Sequence, residues 1–248
     1  MAPRVAVLSL ASDFGCQLQM TNIEDELLDV LGRIELSYWQ LASSAHLPDE
    51  YDVAIIEGAV TTSDHVELLR KARETAAVVI AVGACAHTGG IPALAAGEAY
   101  TDGLWDTYGD RRPDGARLAI EPCAVTSVID VDYVVPGCPI DQTEYLSVVS
   151  RALQGLRDHT PIEPMCASCK INENVCFFEK DEICLGVITR TGCRARCVSL
   201  GRPCTGCRGL APDANLASAR DVFASHGHDL DQVLATHRIY NSIEKAVL

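Results

Sequence analysis

The sequence has 248 residues, of which 48% are hydrophobic, and a formal net charge of -14 with a pI near 4.8. This length predicts one or two globular domains with a buried core. The negative charge argues against nucleic acid as a partner, because no basic stripe is available to neutralise phosphates. We find no export signal at the amino terminus and no run of the roughly 18 to 20 apolar residues that a membrane-spanning helix requires. We therefore expect a cytoplasmic protein without a membrane partner.

The first part of the chain alternates strand-like and helix-like segments. The strand-like segments are short, rich in Val, Ile and Ala, and apolar on both faces, as buried parallel strands are. They cover residues 4–10, 51–57, 77–84 and 131–136. Apolar residues recur at helical spacing in residues 23–31, 65–75 and 142–156. This order predicts an α/β fold, with a flavodoxin-like open parallel sheet in a first domain of residues 1–158.

The second predicted domain, residues 159–248, has a different character. Residues 161–212 hold eight of the twelve cysteines, many glycines and no extended apolar periodicity, so a hydrophobic core alone cannot fold them. The cytosol keeps thiols reduced, which favours metal ligation over disulfides. We expect a small irregular iron-sulfur domain, followed by a weakly helical tail over residues 216–247 that packs back on one of the two parts.

Three cysteines of the first domain lie just beyond the carboxyl ends of predicted strands. They are Cys16, Cys85 and Cys138. Open α/β sheets place their ligand crevice at this edge, so the three thiols are expected to converge there. Neighbouring glycines let the backbone approach a bulky inorganic ligand, and their amides can donate to cluster sulfides. The pattern predicts a four-iron cluster.

Three thiolates leave one iron of such a cluster without a protein ligand. Asp13 stands three residues before Cys16, where a Cys-x-x-Cys pair has its first member, and we assign it as the fourth ligand. Its carboxylate is a harder donor than a thiolate and is expected to bind iron more labilely. The alternative is that Asp13 caps the following turn and that water or a three-iron cluster completes the site. Cys123, which lacks a glycine-rich setting, is expected to be an ordinary buried thiol.

The eight downstream cysteines fall into two sets of four. Cys166, Cys169, Cys176 and Cys184 form one set, and Cys193, Cys197, Cys204 and Cys207 form the other. Each set suits a four-iron cluster or a zinc ion, since both accept four thiolates. The upstream cysteine site and the closeness of the two sets favour iron-sulfur clusters. The partition stays open, because two-cluster ferredoxins exchange their fourth ligand between clusters.

These motifs together resemble those of nickel-iron hydrogenase small subunits. The likeness to the proximal-cluster motifs of that family rests on DFGC at residues 13–16, EG at residues 57–58, GACAHTGG at residues 83–90 and PGCP at residues 136–139. The segment PCTGC at residues 203–207 resembles the medial-cluster motif of the family. The resemblance implies a proximal set (Asp13, Cys16, Cys85, Cys138), a medial set (Cys193, Cys197, Cys204, Cys207) and a distal set (Cys166, Cys169, Cys176, Cys184).

Within that family the chain is most similar to the delta subunit of cytoplasmic, NAD(P)-linked sulfhydrogenases. Exported members carry a twin-arginine leader and a distal histidine ligand, whereas Cys166 stands in that histidine's place here. Exported members also have a three-iron medial cluster, and the additional Cys197 suggests four irons. The sequence differs from the family at position 13, where Asp13 stands in place of a cysteine.

The resemblance implies a division of labour between subunits. Dihydrogen is split at a NiFe(CN)2CO centre in a separate large subunit, and this chain carries the electrons through three 4Fe-4S clusters. Further subunits with iron-sulfur clusters and FAD then reduce NAD(P). The implied complex is a hetero-oligomeric oxidoreductase in which this chain supplies no catalytic residue. His87 and Glu57 either contact the large subunit or orient the cluster, or they make structural hydrogen bonds.

Three other interpretations fit parts of the sequence. Electrons could pass to a deazaflavin or a heterodisulfide reductase instead of NAD(P). A cluster subunit of a complex I type dehydrogenase shares the sheet and one cluster, but such chains usually have adjacent cysteines and lack the eight-cysteine segment. A zinc-binding interaction module would be colourless. Residues 83–90 lack the order of a phosphate-binding loop, so nucleotide binding to this chain is not expected.

Overall fold

The fold is built on a five-stranded parallel sheet. A computed structural model describes residues 2–23, 25–111 and 118–242. The strand order is β2-β1-β3-β5-β7, and every neighbouring pair is parallel. This is the doubly wound order of flavodoxin-like sheets. The strands are β1 (Arg4–Ser9), β2 (Glu35–Trp39), β3 (Val53–Glu57), β5 (Val78–Val82) and β7 (Tyr133–Val135), with a separate antiparallel pair of β4 (Val60–Thr62) and β6 (Ala119–Cys123).

Ten helices accompany the strands in the part of the chain that the structure describes. They are α1 (Gly15–Thr21), α2 (Asp25–Leu31), α3 (Ser63–Thr75), α4 (Gly83–Thr88), α5 (Glu98–Tyr108), α6 (Gln142–Leu153), α7 (Cys166–Ile171), α8 (Arg196–Ser199), α9 (Leu216–Ser225) and α10 (Leu230–Asn241). None of these helices is both long and apolar enough to cross a membrane. The α/β fold class expected from the sequence is confirmed.

The central strands are buried on both faces, as their composition predicts. Along β3 every residue is buried, and its side chains alternate between two apolar clusters. Val53 and Ile55 pack on the face covered by α6, whereas Ala54 and Ile56 pack on the face covered by α3. Each face of the sheet therefore has its own helix layer.

The sequence prediction missed β2, the antiparallel pair and α5. The edge strand β2 begins with two exposed residues, Glu35 and Leu36, so it has no continuous apolar run. Helix α5 buries none of its residues, and Trp105 in it is 60% exposed. A helix that packs so little against its own chain has no regular spacing of apolar residues, so its position cannot be predicted from such a pattern.

The cysteine-rich part has two small apolar clusters and little regular structure. In one cluster, Met165 and Phe177 pack among the cysteine side chains. In the other, Phe178 and Leu185 pack against Phe223 of α9, with further residues from α10. The two tail helices agree with the predicted helical tail as far as Asn241, and residues 243–247 of that prediction lie outside the described residues.

Helix α10 contacts both parts of the chain rather than one. The carbonyl oxygen of Tyr240 accepts a hydrogen bond of 2.8 Å from Thr88 Oγ1, in the helix that carries Cys85. Asn241 Nδ2 donates a 2.8 Å hydrogen bond to the carbonyl oxygen of Gly206, which lies between two cysteines of the medial set. The tail thus ties the sheet edge to the cysteine-rich part. The domain boundary at residues 158–159 remains a prediction.

Candidate metal centres

The proximal set surrounds one cavity at the carboxyl edge of the sheet. Cys16 is in α1 just after β1, Cys85 is in α4 just after β5, and Cys138 follows β7. Together with Asp13 and Glu57 they line a cavity of about 310 Å³. Parallel strands deliver their carboxyl ends to one edge, which explains why positions so distant in sequence meet.

Two glycines leave room for the sulfur atoms of this set. Gly83 has a φ of +84°, and a Cβ there would lie 2.6 Å from Cys16 Sγ. Gly90 has a φ of +54°, and a Cβ there would lie 2.8 Å from Cys85 Sγ. Both positions therefore require glycine for backbone conformation and for space. Two of the glycines predicted to let the backbone approach a ligand thus lie directly beside the thiols.

The thiols of the proximal set are costly to ionise in the protein alone. Burial raises the pKa of Cys16 far above its ordinary value, and neighbouring negative charge raises it further. Burial likewise raises the pKa of Cys85 and of Cys138, each to about 11. The backbone amides of Ile140 and Ile91 oppose this effect by donating hydrogen bonds to Cys16 and Cys85. Among the described residues, no Lys, Arg or His lines this cavity, so buried thiolates with amide donors fit a cationic metal centre as their partner.

Asp13 lines the same cavity, but one of its oxygens already has a partner. The backbone N–H of Gly15 donates a 2.9 Å hydrogen bond to Asp13 Oδ1, which forms a local turn. The negative charge of Asp13 also contributes to the raised pKa of Cys85 and Cys138, so the carboxylate faces these thiols. The geometry suits the turn-capping alternative through Oδ1 and leaves Oδ2 for a metal. Ligation by Asp13 remains a prediction.

Glu57 positions Cys16 through a buried polar network. Its side chain is 2% exposed at the end of β3 and accepts hydrogen bonds from Cys16 N (2.9 Å) and Gln17 Nε2 (2.6 Å). Gln17 Oε1 in turn accepts a 2.6 Å hydrogen bond from Trp39 Nε1. Burial raises the pKa of Glu57. Neither Gln17 nor Trp39 was predicted from the sequence. The available signal was the polar side chain of Gln17 next to Cys16, a predicted ligand, at the start of a helix.

For His87, the alternative of a structural hydrogen bond is not met at Nδ1. This nitrogen is buried and has no hydrogen-bond partner among the residues that the structure describes. Burial, followed by the charges of Arg190 and Arg208, lowers the pKa of His87 to about 4. The imidazole is therefore neutral near pH 7. Cys123, in contrast, lies on β6 opposite Val60, is only half-buried, and does not line the proximal cavity.

The distal set is gathered around the start of α7. Burial raises the pKa of Cys166 to about 11, and the negative charges of the three other thiols of the set contribute to that shift. A Cβ on Gly186 would lie 3.6 Å from Cys184 Sγ and 3.7 Å from Cys166 Sγ, which places this backbone between the two sulfurs. The amide of Gly186 donates to Cys184. The four thiols thus share one location.

The medial set lines a second, narrower cavity. All four of its cysteines are among the lining residues, with Met165 and Arg208 beside them. Burial raises the pKa of Cys207 to about 12, while the guanidinium of Arg208 acts in the opposite direction. The space between them is about 20 Å³, and a four-iron cluster would need these thiols to lie further apart. Among the described residues, no three His, Cys, Asp or Glu side chains are close enough to hold a single metal ion.

Close approaches between cysteines join the three sets in series. The backbone of Cys138, in the proximal set, lies near enough to the sulfur of Cys207, in the medial set, to oppose the rise in the pKa of that thiol. The backbone amide of Cys204, in the medial set, donates a 3.3 Å hydrogen bond to Cys184 Sγ in the distal set. The order in space is therefore proximal, medial, distal, with cysteines of neighbouring sets close together at each junction.

A buried ion pair holds the first of these junctions. Arg208 directly follows Cys207 and is 1% exposed. Its Nη1 and Nη2 lie 2.7 and 2.6 Å from the two carboxylate oxygens of Glu144 in α6. Nη1 also donates a 2.8 Å hydrogen bond to the carbonyl oxygen of Pro136, two residues before Cys138. The sequence analysis missed both members of the pair.

Comparison with known proteins gives a consistent result. Residues 14–152 match the family described as NADH ubiquinone oxidoreductase, 20 Kd subunit. The delta subunit of sulfhydrogenase 2 from Pyrococcus furiosus is 35% identical over 220 residues, which cover 88% of this chain and 91% of that protein. A subunit of the F420-non-reducing hydrogenase vhu from Methanocaldococcus jannaschii is 30% identical over 260 residues, which cover 92% of this chain and 89% of that protein.

A solved structure is also similar in fold and in sequence. A chain in the crystal structure of the NAD+-reducing NiFe hydrogenase in the H2-reduced state superposes with a TM-score of 0.58 at 28% identity. The match covers 65% of this chain and 96% of that chain. The likeness therefore extends over both the sequence and the fold.

Proposed function

Because the chain belongs to the family of NADH:ubiquinone oxidoreductase 20 kDa subunits and hydrogenase small subunits, we propose that it is the electron-transfer small subunit of a nickel-iron hydrogenase. The subunit relays electrons through three 4Fe-4S clusters held by the proximal, medial and distal sets. It contributes no catalytic residue, since dihydrogen is activated on the large subunit.

The series arrangement of the three cysteine sets is the observation that carries this proposal. A zinc-binding module needs no contact between its sites, whereas a relay needs redox groups that are close and in sequence. The contacts of Cys138 with Cys207 and of Cys204 with Cys184 supply that order. Iron-sulfur clusters bound there would each store and release one electron.

The chain's own residues hold and tune these centres. Glu57 fixes the backbone of Cys16 at the sheet edge, and Gly83 keeps the space beside its sulfur open. Amide donors at the thiolates and the buried Arg208 charge near the medial set stabilise added negative charge, which favours the reduced state. The single carboxylate of the proximal set, Asp13, is proposed as the fourth ligand there.

The apolar surface around the proximal cavity suits the large subunit. Leu18 lines the cavity and is 49% exposed, and Ile91 and Leu94, which follow the Gly89-Gly90 turn, are 47% and 46% exposed. Helix α5, with its exposed Trp105, follows directly in the chain. Exposed apolar clusters of this kind mark contacts with other chains. We assign this side to the subunit that carries the NiFe(CN)2CO centre.

The acceptor side is proposed to lead to flavin and NAD(P) in the cytoplasm. Similarity to a sulfhydrogenase delta subunit and to a chain of an NAD+-reducing hydrogenase supports this direction. The relative from an F420-non-reducing hydrogenase supports the second candidate, a complex that delivers electrons to another module such as a heterodisulfide reductase. A complex I type subunit is disfavoured, because the chain has no adjacent cysteines.

Electron flow through the purified complex tests the function. The complex is exposed to H2 under anaerobic conditions, and cluster reduction is followed by electron paramagnetic resonance. We expect H2 to reduce three clusters in the wild type and none beyond the proximal site in Cys85→Ser. Cys123→Ser is the matched control, since Cys123 lines neither the proximal nor the medial cavity. Normal reduction of the medial and distal clusters in Cys85→Ser would contradict the relay.

A further inference from the structure

The cysteine-rich part carries an exposed apolar surface beside the distal and medial sets. Ile171, Val175 and Leu200 are 81%, 58% and 73% exposed. Ile171 is the last residue of α7, Val175 lies in the loop that follows, and Leu200 follows α8. Large aliphatic side chains this exposed are unusual on a surface that faces only water.

Two asparagines join these segments into one surface. Asn172 Nδ2 donates a 2.7 Å hydrogen bond to the carbonyl oxygen of Arg194. Asn174 Nδ2 donates a 3.0 Å hydrogen bond to Ser199 Oγ, next to Leu200. The loop that bears Ile171 and Val175 is therefore fixed against the segment that bears Leu200. We call the surface formed by Ile171, Val175, Leu200, Lys170, Arg196 and Arg202 the basic apolar patch.

The charge of this patch is opposite to that of the whole chain. The chain has 34 acidic and 20 basic residues, yet residues 183–212 contain five arginines and neither Asp nor Glu. Lys170, Arg196 and Arg202 are exposed around the aliphatic side chains, and Glu173 is the carboxylate within the loop. The patch is thus an apolar centre with a mostly positive rim on an acidic protein.

The patch also lies where electrons can leave. Cys197, of the medial set, is exposed beside Arg196, and the loop is flanked by two cysteines of the distal set. An apolar centre with a charged rim is the usual composition of a docking site, and the rim charge steers the partner's approach. Arg208, which is buried, already supplies positive charge to the medial set, whereas the patch arginines point their charge to solvent.

We propose that the basic apolar patch is the docking site for an electron-accepting protein whose redox centre is surrounded by acidic residues. This inference rests on the proposed function, since it gives the relay its exit. Positive charge on the patch speeds the encounter, and the aliphatic centre excludes water from the gap across which the electron passes.

The test uses the complex of this chain with its large subunit, produced by co-expression and purified anaerobically. H2-dependent reduction is measured with three probes: an acidic plant-type 2Fe-2S ferredoxin, the basic protein cytochrome c, and the small acceptor benzyl viologen. Arg196→Glu is compared with Arg70→Glu, which makes the same change of charge at an exposed position on α3. Leu200→Ser tests the apolar centre.

We expect Arg196→Glu to raise the KM for the ferredoxin about tenfold or more at roughly 50 mM salt and much less at roughly 500 mM salt, where charges are screened. Cytochrome c should show the opposite change. Leu200→Ser should raise the ferredoxin KM at both salt concentrations, and all variants should reduce benzyl viologen like the wild type.

Each contrary result has a distinct meaning. If the wild type fails to reduce benzyl viologen, the proposed function itself fails. If benzyl viologen is reduced normally but Arg196→Glu and Arg70→Glu have the same ferredoxin KM, the docking site is wrong. A shift of the cluster midpoint potentials without any change in KM would likewise overturn it, because the arginines would then only offset cluster charge.

Discussion

Arg208 and Glu144 form a two-pronged ion pair, 1% and 7% exposed, between the cysteine-rich part and helix α6 of the sheet part. Arg208 directly follows Cys207 in the chain. Its Nη1 also donates a hydrogen bond to the carbonyl oxygen of Pro136, two residues before Cys138. A single guanidinium therefore fixes the junction between the proximal and medial sets.

Breaking this pair is predicted to destabilise the protein strongly. Glu144→Gln leaves a buried guanidinium without a counter-charge, and removal of one partner of such a pair typically costs about 3 to 5 kcal/mol. Denaturant titration under anaerobic conditions measures the free energy of unfolding. Lys71→Ala is the control, because it breaks the exposed pair with Asp49 and should cost at most about 1 kcal/mol. Equal losses in both variants would contradict the assigned role.

The glycine beside Cys16 is predicted to be essential for the proximal cluster. In Gly83→Ala the new Cβ falls 2.6 Å from Cys16 Sγ, at a φ of +84° that alanine adopts with strain. We expect the iron content to fall by about four atoms per chain, the content of one cubane. Gly103→Ala in α5 meets nothing within 4 Å and should keep the full content. Unchanged iron in Gly83→Ala would show that this site holds no cluster.

Two substitutions distinguish iron ligation by Asp13 from its role in the local turn. Asp13→Asn keeps an oxygen that can accept from the Gly15 amide but removes the ionised ligand, whereas Asp13→Cys supplies a thiolate and removes the turn. If Asp13 binds iron, we expect Asp13→Cys to change the midpoint potential of the proximal cluster. We expect Asp13→Asn to convert that cluster to a three-iron form or to change its paramagnetic spectrum. An Asp13→Asn spectrum identical to the wild type would leave the turn as the residue's role.

His237 is predicted to make the docking of α10 sensitive to acid. It is 2% exposed, and burial followed by the charge of Arg238 lowers its pKa to about 4. Between pH 6.5 and pH 4 the unfolded chain thus binds the proton more readily than the folded chain, so stability falls as the pH falls through this window. His237→Leu should lose less stability than the wild type between pH 7 and pH 5, by thermal unfolding of each. An equal loss in both proteins would refute this.

Much of the sheet and its edge could be predicted from local sequence. Strands β1, β3 and β5 are apolar on both faces, and Cys16, Cys85 and Cys138 follow strand ends, so their convergence follows from parallel topology. The boundaries shifted by only a few residues; for example, α6 ends at Leu153 rather than residue 156.

The contacts between the two parts could not be predicted in this way. Arg208 and Glu144 are 64 residues apart, and neither belongs to a motif that reveals a partner. The same holds for Gln17 with Trp39, whose pairing depends on an edge strand with no apolar run. Such pairs depend on how distant segments pack together, and the spacing of apolar residues along the chain gives no information about that packing. The close approaches between cysteines of different sets could not be predicted for the same reason.

Anaerobic iron, sulfide and zinc analysis of the purified chain, together with its absorption spectrum, tests most directly whether the twelve proposed ligands hold three cubanes. We expect about twelve irons and about twelve sulfides per chain and a brown protein with broad absorption. Zinc in stoichiometric amount, with no acid-labile sulfide and no colour, would contradict the relay.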